Sequence, residues 1–272
     1  MISCLVCPHY CILTPTTTGI CGTRTEQGGI SVPLNYGVAT ALHLDPIEKK
    51  PLAHFYPGSH ILSYGSYGCN MHCTFCQNYE ISMLRKTSGS YISPAELTKE
   101  AIALIPRGNI GVAYTYNEPT VDPEYIIDTG RLVHLAGLKN VVVSNGYTSL
   151  QTLDQLLEVV DAFNFDLKAF TEEFYHKMGA SLEPVKATIA MAAKHTHVEV
   201  TTLVIPGEND SPSEMEALCQ WLASISPDIP LHLSRFFPAY KMLDKSPTSV
   251  HTLKTLELIA RKYLTHVHLG NL

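Results

Sequence analysis

The sequence predicts an α/β protein of parallel strand–helix units with a small cysteine-rich segment ahead of them. Three observations carry this prediction. Short apolar runs alternate with amphipathic stretches over most of the 272 residues, the pattern of βαβ units. Several of those stretches open on a helix-capping signal. The eight cysteines fall into groups of four, three and one instead of being spread along the chain. Six or seven units can be counted, fewer than the eight of a complete barrel, so the strands close into a full or partial barrel or wind into an open sheet.

The elements follow in order. Residues 30–34 and 38–44 read as short extended runs, followed by the turn-rich Asp45-Pro-Ile-Glu-Lys-Lys-Pro51, whose two lysines read as solvating a turn. Ile61 to Tyr64 reads as a strand. Ser93-Pro-Ala-Glu96 is a capping box with proline at the first helical position, opening a helix to about Ile105. A strand over 109–116, a helix from Asp122-Pro123 to about Leu138 and a strand over 141–144 come next. Ser149 then starts a helix to about Val160, 163–170 is a strand, helical stretches reach about Lys194, and 197–205 is a strand. Ser211-Pro-Ser-Glu214 repeats the capping box. A strand over 231–236, a helix from about Ser249 to Tyr263 and a strand over 266–269 complete the series. The extension is assigned to residues 1–58 and the barrel to 59–272.

Composition removes several classes of function. The formal net charge of −6 and the lack of a Lys/Arg run give no electrostatic footprint for nucleic acid. No apolar run approaches the ~18 residues of a membrane span, and Met1-Ile-Ser-Cys4 lacks the basic and apolar regions of a signal peptide. The expectation is a cytoplasmic protein without a membrane partner. No phosphate loop, dinucleotide fingerprint, nucleophile elbow or His-Glu-x-x-His pattern occurs.

In such a chain, clustered thiols point to metal and not to disulfides. Cys4, Cys7, Cys11 and Cys21 form a complete set of four, which suits a closed structural site. Zinc is the first reading and a second iron–sulfur cluster the alternative, since four thiolates satisfy both. His9 is taken as a loop residue, and Cys219, in the pattern Met215, Leu218, Cys219, Leu222, as a small core residue. Cys69, Cys73 and Cys76 stand in a C-x3-C-x2-C spacing. Three ligands leave one metal position open, and an open position is where chemistry happens.

Other candidates fall at the carboxyl ends of strands, where ligands gather in either geometry. They are Asn117 and Glu118, then Asn145, then Asp166 and Lys168. The last two lie two apart on an apolar strand, so they face one side and need partners: each other, or a zwitterionic ligand. Arg235, Tyr116 and His232 are read mainly as rim or packing residues.

The segment Ser66-Tyr-Gly-Cys69-Asn-Met-His-Cys73-Thr-Phe-Cys76-Gln-Asn78 resembles the signature of the radical S-adenosylmethionine (SAM) superfamily. The resemblance implies a partial (β/α)6-type barrel and a [4Fe-4S] cluster on Cys69, Cys73 and Cys76. It further implies SAM chelated to the unique iron, and an electron donor such as flavodoxin or ferredoxin. Reductive cleavage would give methionine and a 5′-deoxyadenosyl radical for hydrogen abstraction. Compared with enzymes like the pyruvate formate-lyase activating enzyme, Asn117-Glu118 stands in place of a Gly-Gly-Glu segment that holds the SAM amino group, keeping the carboxylate but not the glycines. Asp166-Leu-Lys168 matches an Asp-x-Lys segment that contacts the methionine moiety. Phe75 matches an aromatic near adenine, and Asn145 falls near the ribose contacts.

A narrower set of motifs, from Cys4 to Gly270, is similar to the radical SAM component of the AmmeMemoRadiSam group. It includes Tyr114-Thr-Tyr-Asn-Glu-Pro119, Ser144-Asn-Gly146, Ile205-Pro-Gly207 and Arg235-Phe-Phe-Pro238. Longer members continue past a Gly-Asn segment into a tail with another cysteine pair, whereas this sequence ends at Gly270-Asn-Leu272. The substrate, a small molecule or a glycine in a protein as in glycyl-radical activation, stays open. A different class of reading, a non-catalytic metal-binding or electron-transfer protein, would need a fourth ligand near the loop, where His72 is the candidate.

Overall fold

The computed structural model describes residues 1–83 and 88–272. Its centre is an eight-stranded sheet whose strands lie side by side in chain order: Ala41–Pro46, His60–Gly65, Asn109–Tyr114, Lys139–Ser144, Ala162–Asp166, His197–Val204, Leu231–Arg235 and Val267–Gly270. The first pair is antiparallel and every later pair parallel. A parallel neighbour requires a crossover, and a helix lies in each: Pro94–Ala103, Pro123–Leu135, Leu150–Leu157, Leu182–Ala192, Pro212–Ile225 and Val250–Ala260. The first and last strands do not pair with each other, so the architecture is a partial barrel.

Strand periodicity sorts the side chains. Leu62, Val112, Val142 and Phe163 belong to the large core shared with the helices. Their neighbours Ile61, Ala113, Val141 and Ala162 face the other way and pack with Ile47, Leu52 and Phe55. The segment 47–59 therefore plugs the barrel interior at the amino ends of the strands. The boundary expected after residue 58 cuts through this unit, because 41–46 and 60–65 are one hairpin of the main sheet. Continuing the two-residue period carries the interior face to Thr115, Val143 and Asp166 at the opposite end, where all three line a cleft.

Capping is close to what the sequence predicts. The Ser93–Glu96 box is reciprocal, and Asp122 and Ser149 each accept from the backbone N–H three residues on. The second box is only half made. Ser211 accepts from the Glu214 N–H, but the Glu214 carboxylate takes the Phe170 N–H at 2.7 Å instead. Two strands end earlier than the apolar runs suggest. The strand from Asn109 stops at Tyr114, and Tyr116 turns out at φ 74°; the next but one stops at Asp166. Cys219 is fully buried in the core, as expected.

No helix among the described residues is long and apolar enough to cross a membrane. The eight cysteines are all free thiols.

Candidate active site

The loop that follows strand His60–Gly65 carries the three thiols, and its path is fixed from both sides. Gly68 sits at φ 89°, in the left-handed region. A Cβ there would stand 2.3 Å from Thr23 Cγ2 and 2.9 Å from the Cys21 carbonyl oxygen, so only glycine lets the loop pass. On the other side Asn117 uses its whole amide on the loop. Its Oδ1 accepts the Ser66 N–H at 3.0 Å, and its Nδ2 donates to the carbonyls of Tyr67 and Gly68 at 3.1 and 3.2 Å.

Cys69, Cys73 and Cys76 open onto one cleft of about 260 Å³ together with Phe75, Asn117, Glu118, Asn145, Asp166 and Lys168. The barrel residues expected to hold the cluster and SAM are thus brought to the carboxyl ends of four adjacent strands. Glu118 is buried and takes four hydrogen bonds: Thr120 N–H at 3.0 Å, Thr120 O–H at 2.7 Å, Ser144 O–H at 2.8 Å and Asn145 N–H at 2.7 Å. Burial still raises its pKa above the ordinary carboxylate value. Asp166 and Lys168 form an ion pair at 2.9 Å, with Asp166 the more open to the cleft. Burial disfavours the Lys168 ammonium, but Asp166 and the neighbouring Cys73 outweigh it and raise its pKa. Burial also raises the Cys69 thiol, with Glu118 adding to the effect, and lifts Cys73 to about 11. Phe75 is buried against Phe174, ring centroids 6.0 Å apart. Asn145 donates to Asn70 Oδ1 at 2.9 Å and toward the Cys69 sulfur at 3.6 Å.

The donor set fits the group that the motif implies. Three sulfurs on one loop face an open cleft, and an unequal charge pair and two amides stand opposite. His72 lines a separate cleft behind the loop, shared with Cys21 and Lys241. The cleft of the three thiols is lined on its far wall by Thr201, Leu203, Ser234 and Asn271, none of them charged.

The amino-terminal cysteines also come together. The sulfurs of Cys11 and Cys21 each lie 3.6 Å from the Cβ position of Gly19. Three of the four sulfurs accept a hydrogen bond: Cys4 from Ser31, Cys11 from the Ile20 N–H and Cys21 from Thr23. His9 is turned away, onto the Asn70 carbonyl at 2.8 Å. Among the described residues, no three His, Cys, Asp or Glu side chains already enclose a metal position; the two thiol groups are gathered but not closed.

Residues 63–222 match the radical SAM superfamily. The chain belongs to that superfamily. An uncharacterized protein of Methanocaldococcus jannaschii is 38% identical over 99% of this chain and 81% of its own length. The pyruvate formate-lyase-activating enzyme of Clostridium pasteurianum is 24% identical over 111 residues, 40% of this chain and 45% of that enzyme. Among solved structures, a radical SAM methyltransferase from Sphaerobacter thermophilus superposes with a TM-score of 0.62 at 18% identity, covering 79% of this chain and 67% of that one; at that identity the likeness concerns the fold. As a radical SAM protein the chain is an enzyme of the class that uses a [4Fe-4S] cluster and SAM.

Several residues around the site escape the sequence reading. Lys50 does not solvate a turn: it is buried, 2.9 Å from Asp45 and 4.5 Å from the centre of the Tyr116 ring. Tyr116 lines the cleft and donates to Asp45 at 2.7 Å. His232 lies at the other end of the barrel, on Glu199 at 2.6 Å. Arg235 is used on the Thr248 carbonyl at 2.7 Å. Glu199 itself was legible by the rule that drew attention to Asp166, since it is a lone carboxylate on an apolar strand.

Proposed function

We propose that this radical SAM protein abstracts a hydrogen atom from a substrate seated against Thr201, Leu203 and Ser234, with Cys69, Cys73 and Cys76 as the ligands of the cluster. The observation that carries this reading is the convergence of the three thiols with Glu118, Asn145, Asp166 and Lys168 in one cleft. SAM bound at a [4Fe-4S] cluster supplies reductive cleavage to methionine and the hydrogen-abstracting chemistry. The chain's own residues bind and orient. Lys168 offers a positive charge for the SAM carboxylate and Asp166 a negative one for the amino group, a role to which Glu118 adds from the facing strand end. Asn145 holds the ribose side and Phe75 the adenine side, where its buried ring also keeps water from the cluster face. Asn117 acts at one remove, by fixing the loop backbone. The uncharged far wall suits a neutral portion of the substrate, whether a small molecule or a peptide segment presenting a glycine. The electron comes from a donor such as flavodoxin or ferredoxin. Cys4, Cys7, Cys11 and Cys21 hold a second metal, zinc by first choice, supported by the hydrogen bonds that the Cys4, Cys11 and Cys21 sulfurs accept.

Anaerobically reconstituted protein, given reductant and SAM, tests the reading. Wild type is expected to release 5′-deoxyadenosine, and Cys73→Ala to release none and to lose the iron of the loop. Absence of 5′-deoxyadenosine from the wild type, with iron content unchanged in Cys73→Ala, would leave a non-catalytic metal protein.

A further inference from the structure

Both ends of the cysteine loop are held by consecutive residues. Ahead of Cys69, the Asn117 amide binds Ser66, Tyr67 and Gly68. Beyond Cys76, the Tyr116 carbonyl accepts from Asn78 Nδ2 at 2.9 Å. The Glu118 N–H adds a bond to the Gly68 carbonyl at 3.2 Å. Residues 116–118 therefore set the loop against the strand end that also presents Glu118 to the cleft.

Tyr116 takes this position under strain. Its φ of 74° is in the left-handed region, where a bulky residue is an outlier and persists only when its surroundings fix it. Its own side chain supplies the fixing. The ring lies against Gly65, where a Cβ would stand 2.7 Å from Tyr116 Cδ2. The hydroxyl donates to Asp45 Oδ2 at 2.7 Å, and the same oxygen accepts from Lys50 Nζ at 2.9 Å. Asp45 and Lys50 are both buried, and hydrogen bonds to ionised groups are the strong ones. Asp45 belongs to the first strand of the sheet and Lys50 to the plug. The anchor thus lies inside the barrel, while the atoms it steadies lie at the cysteine loop.

We propose that Tyr116 is a positioning residue for the radical reaction: anchored by Asp45 and Lys50, it holds Asn78 and so keeps the loop of Cys69, Cys73 and Cys76 in register with Glu118 and Asn145. The inference rests on the cluster and SAM assignments proposed above. It gives the stretch Asp45-Pro-Ile-Glu-Lys-Lys-Pro51 a part in the reaction without contact with the reacting groups. Removing the phenol oxygen lets the strained backbone relax, and the bond from Asn78 is lost with it. The thiols are then no longer held at one distance from the groups that bind SAM.

The test has one arm without metal and one with it. In the metal-free full chain, alkylation of each cysteine by iodoacetamide is followed by mass spectrometry. Cys73 is buried in the loop and Cys219 in the core, so the first reports loop opening and the second overall unfolding. Tyr116→Phe keeps the ring on Gly65 and is expected to speed labelling of Cys73 roughly tenfold, the loss of one bond to a charged group, with Cys219 unchanged. Asp45→Asn leaves the phenol an acceptor and should give a smaller gain than Asp45→Ala. In the reconstituted chain Tyr116→Phe should keep its iron, raise the KM for SAM about tenfold with kcat less affected, and change the electron paramagnetic resonance signal seen with SAM. Wild-type labelling of Cys73, or a wild-type KM, would overturn the proposal. An equal gain at Cys219 would also overturn it, as a loss of overall stability. If Tyr116→Phe does not fold, the two Asp45 variants carry the same comparison. Unchanged iron in Cys73→Ala would mean that the cluster assignment had failed, and labelling alone would then decide whether Tyr116 holds the loop.

Discussion

The two ends of the barrel treat buried charge in opposite ways. At the amino ends of the strands Glu199 is fully buried and accepts four hydrogen bonds: the N–H groups of Ala53 and His54 at 3.0 and 2.8 Å, His197 at 3.0 Å and His232 at 2.6 Å. Burial raises its pKa, but the four donors win and hold it below the usual carboxylate range. At the carboxyl ends Asp122 is also buried, yet its one hydrogen bond, from the Tyr125 N–H, is a cap. There burial, reinforced by Glu124, lifts the pKa to about 8. One end is sealed by its own donors. The other keeps a neutral acid beneath a rim where the Asp166–Lys168 pair and the thiols face a cleft. A buried charge persists where the fold supplies its partners, and polar capacity is left over where a ligand must supply them.

The largest expected effect breaks the sealed end. Glu199→Gln should lower stability by about 3 kcal/mol, measured by chemical denaturation near pH 7, because it removes the charge that holds the plug to two histidines. Since the folded pKa of Glu199 is depressed, the stability it contributes is present above its unfolded value of 4.5 and lost as pH falls below that. The deficit of the variant should therefore shrink in acid. If the deficit is the same at pH 3 and pH 7, charge is not what holds the plug.

The opposite sign should appear at the open end. Between the ordinary value of 3.8 and about 8 the native Asp122 keeps a proton that the unfolded chain has released, so stability falls as pH rises through that window. Asp122→Asn keeps the cap and should remove a decline on the order of 3 kcal/mol between pH 5 and 8. Parallel stability profiles for variant and wild type would contradict the neutral acid.

Smaller effects separate loop order from loop chemistry. Glu214→Ala frees the Phe170 N–H, two residues beyond Lys168, and should cost about 1.5 kcal/mol. It should also weaken SAM binding by roughly tenfold, read by calorimetry; unchanged affinity would mean that Lys168 is placed without this clamp. Ser93→Ala should cost about 1 kcal/mol in helix capping and leave SAM binding untouched, the control for a purely structural loss.

Much of the site is legible in short stretches of sequence because its parts are local. The C-x3-C-x2-C loop, the Ser93 cap and the period-two face carrying Asp166 each depend on residues a few positions apart, and short-range spacing fixes geometry at that scale. Glu118 and Asn145 are found because strand ends converge in any parallel architecture. The role of Asn117 is less legible. A side chain beside a functional carboxylate reads as a ligand, and only the path of the loop shows its amide already in use. Lys50 is missed for the same reason: within its own stretch it sits in a turn, and its partners, Asp45 and Tyr116, meet only after 41–46 pairs with 60–65.

The sequence by itself determined the kinds of donor, their grouping by four and three, and the alternation that builds a partial barrel, because these follow from chain-local periodicity and side-chain chemistry. Tertiary structure decided what those groups meet. It set the plug of 47–59 on Glu199, turned Glu214 from a cap to a clamp, and laid Gly68 of the loop against Thr23 and Cys21, more than forty residues away in the chain. Contacts of that range depend on how the whole sheet stacks, since a hydrogen bond is satisfied by whichever partner packing brings within about 3 Å, and packing belongs to the whole fold.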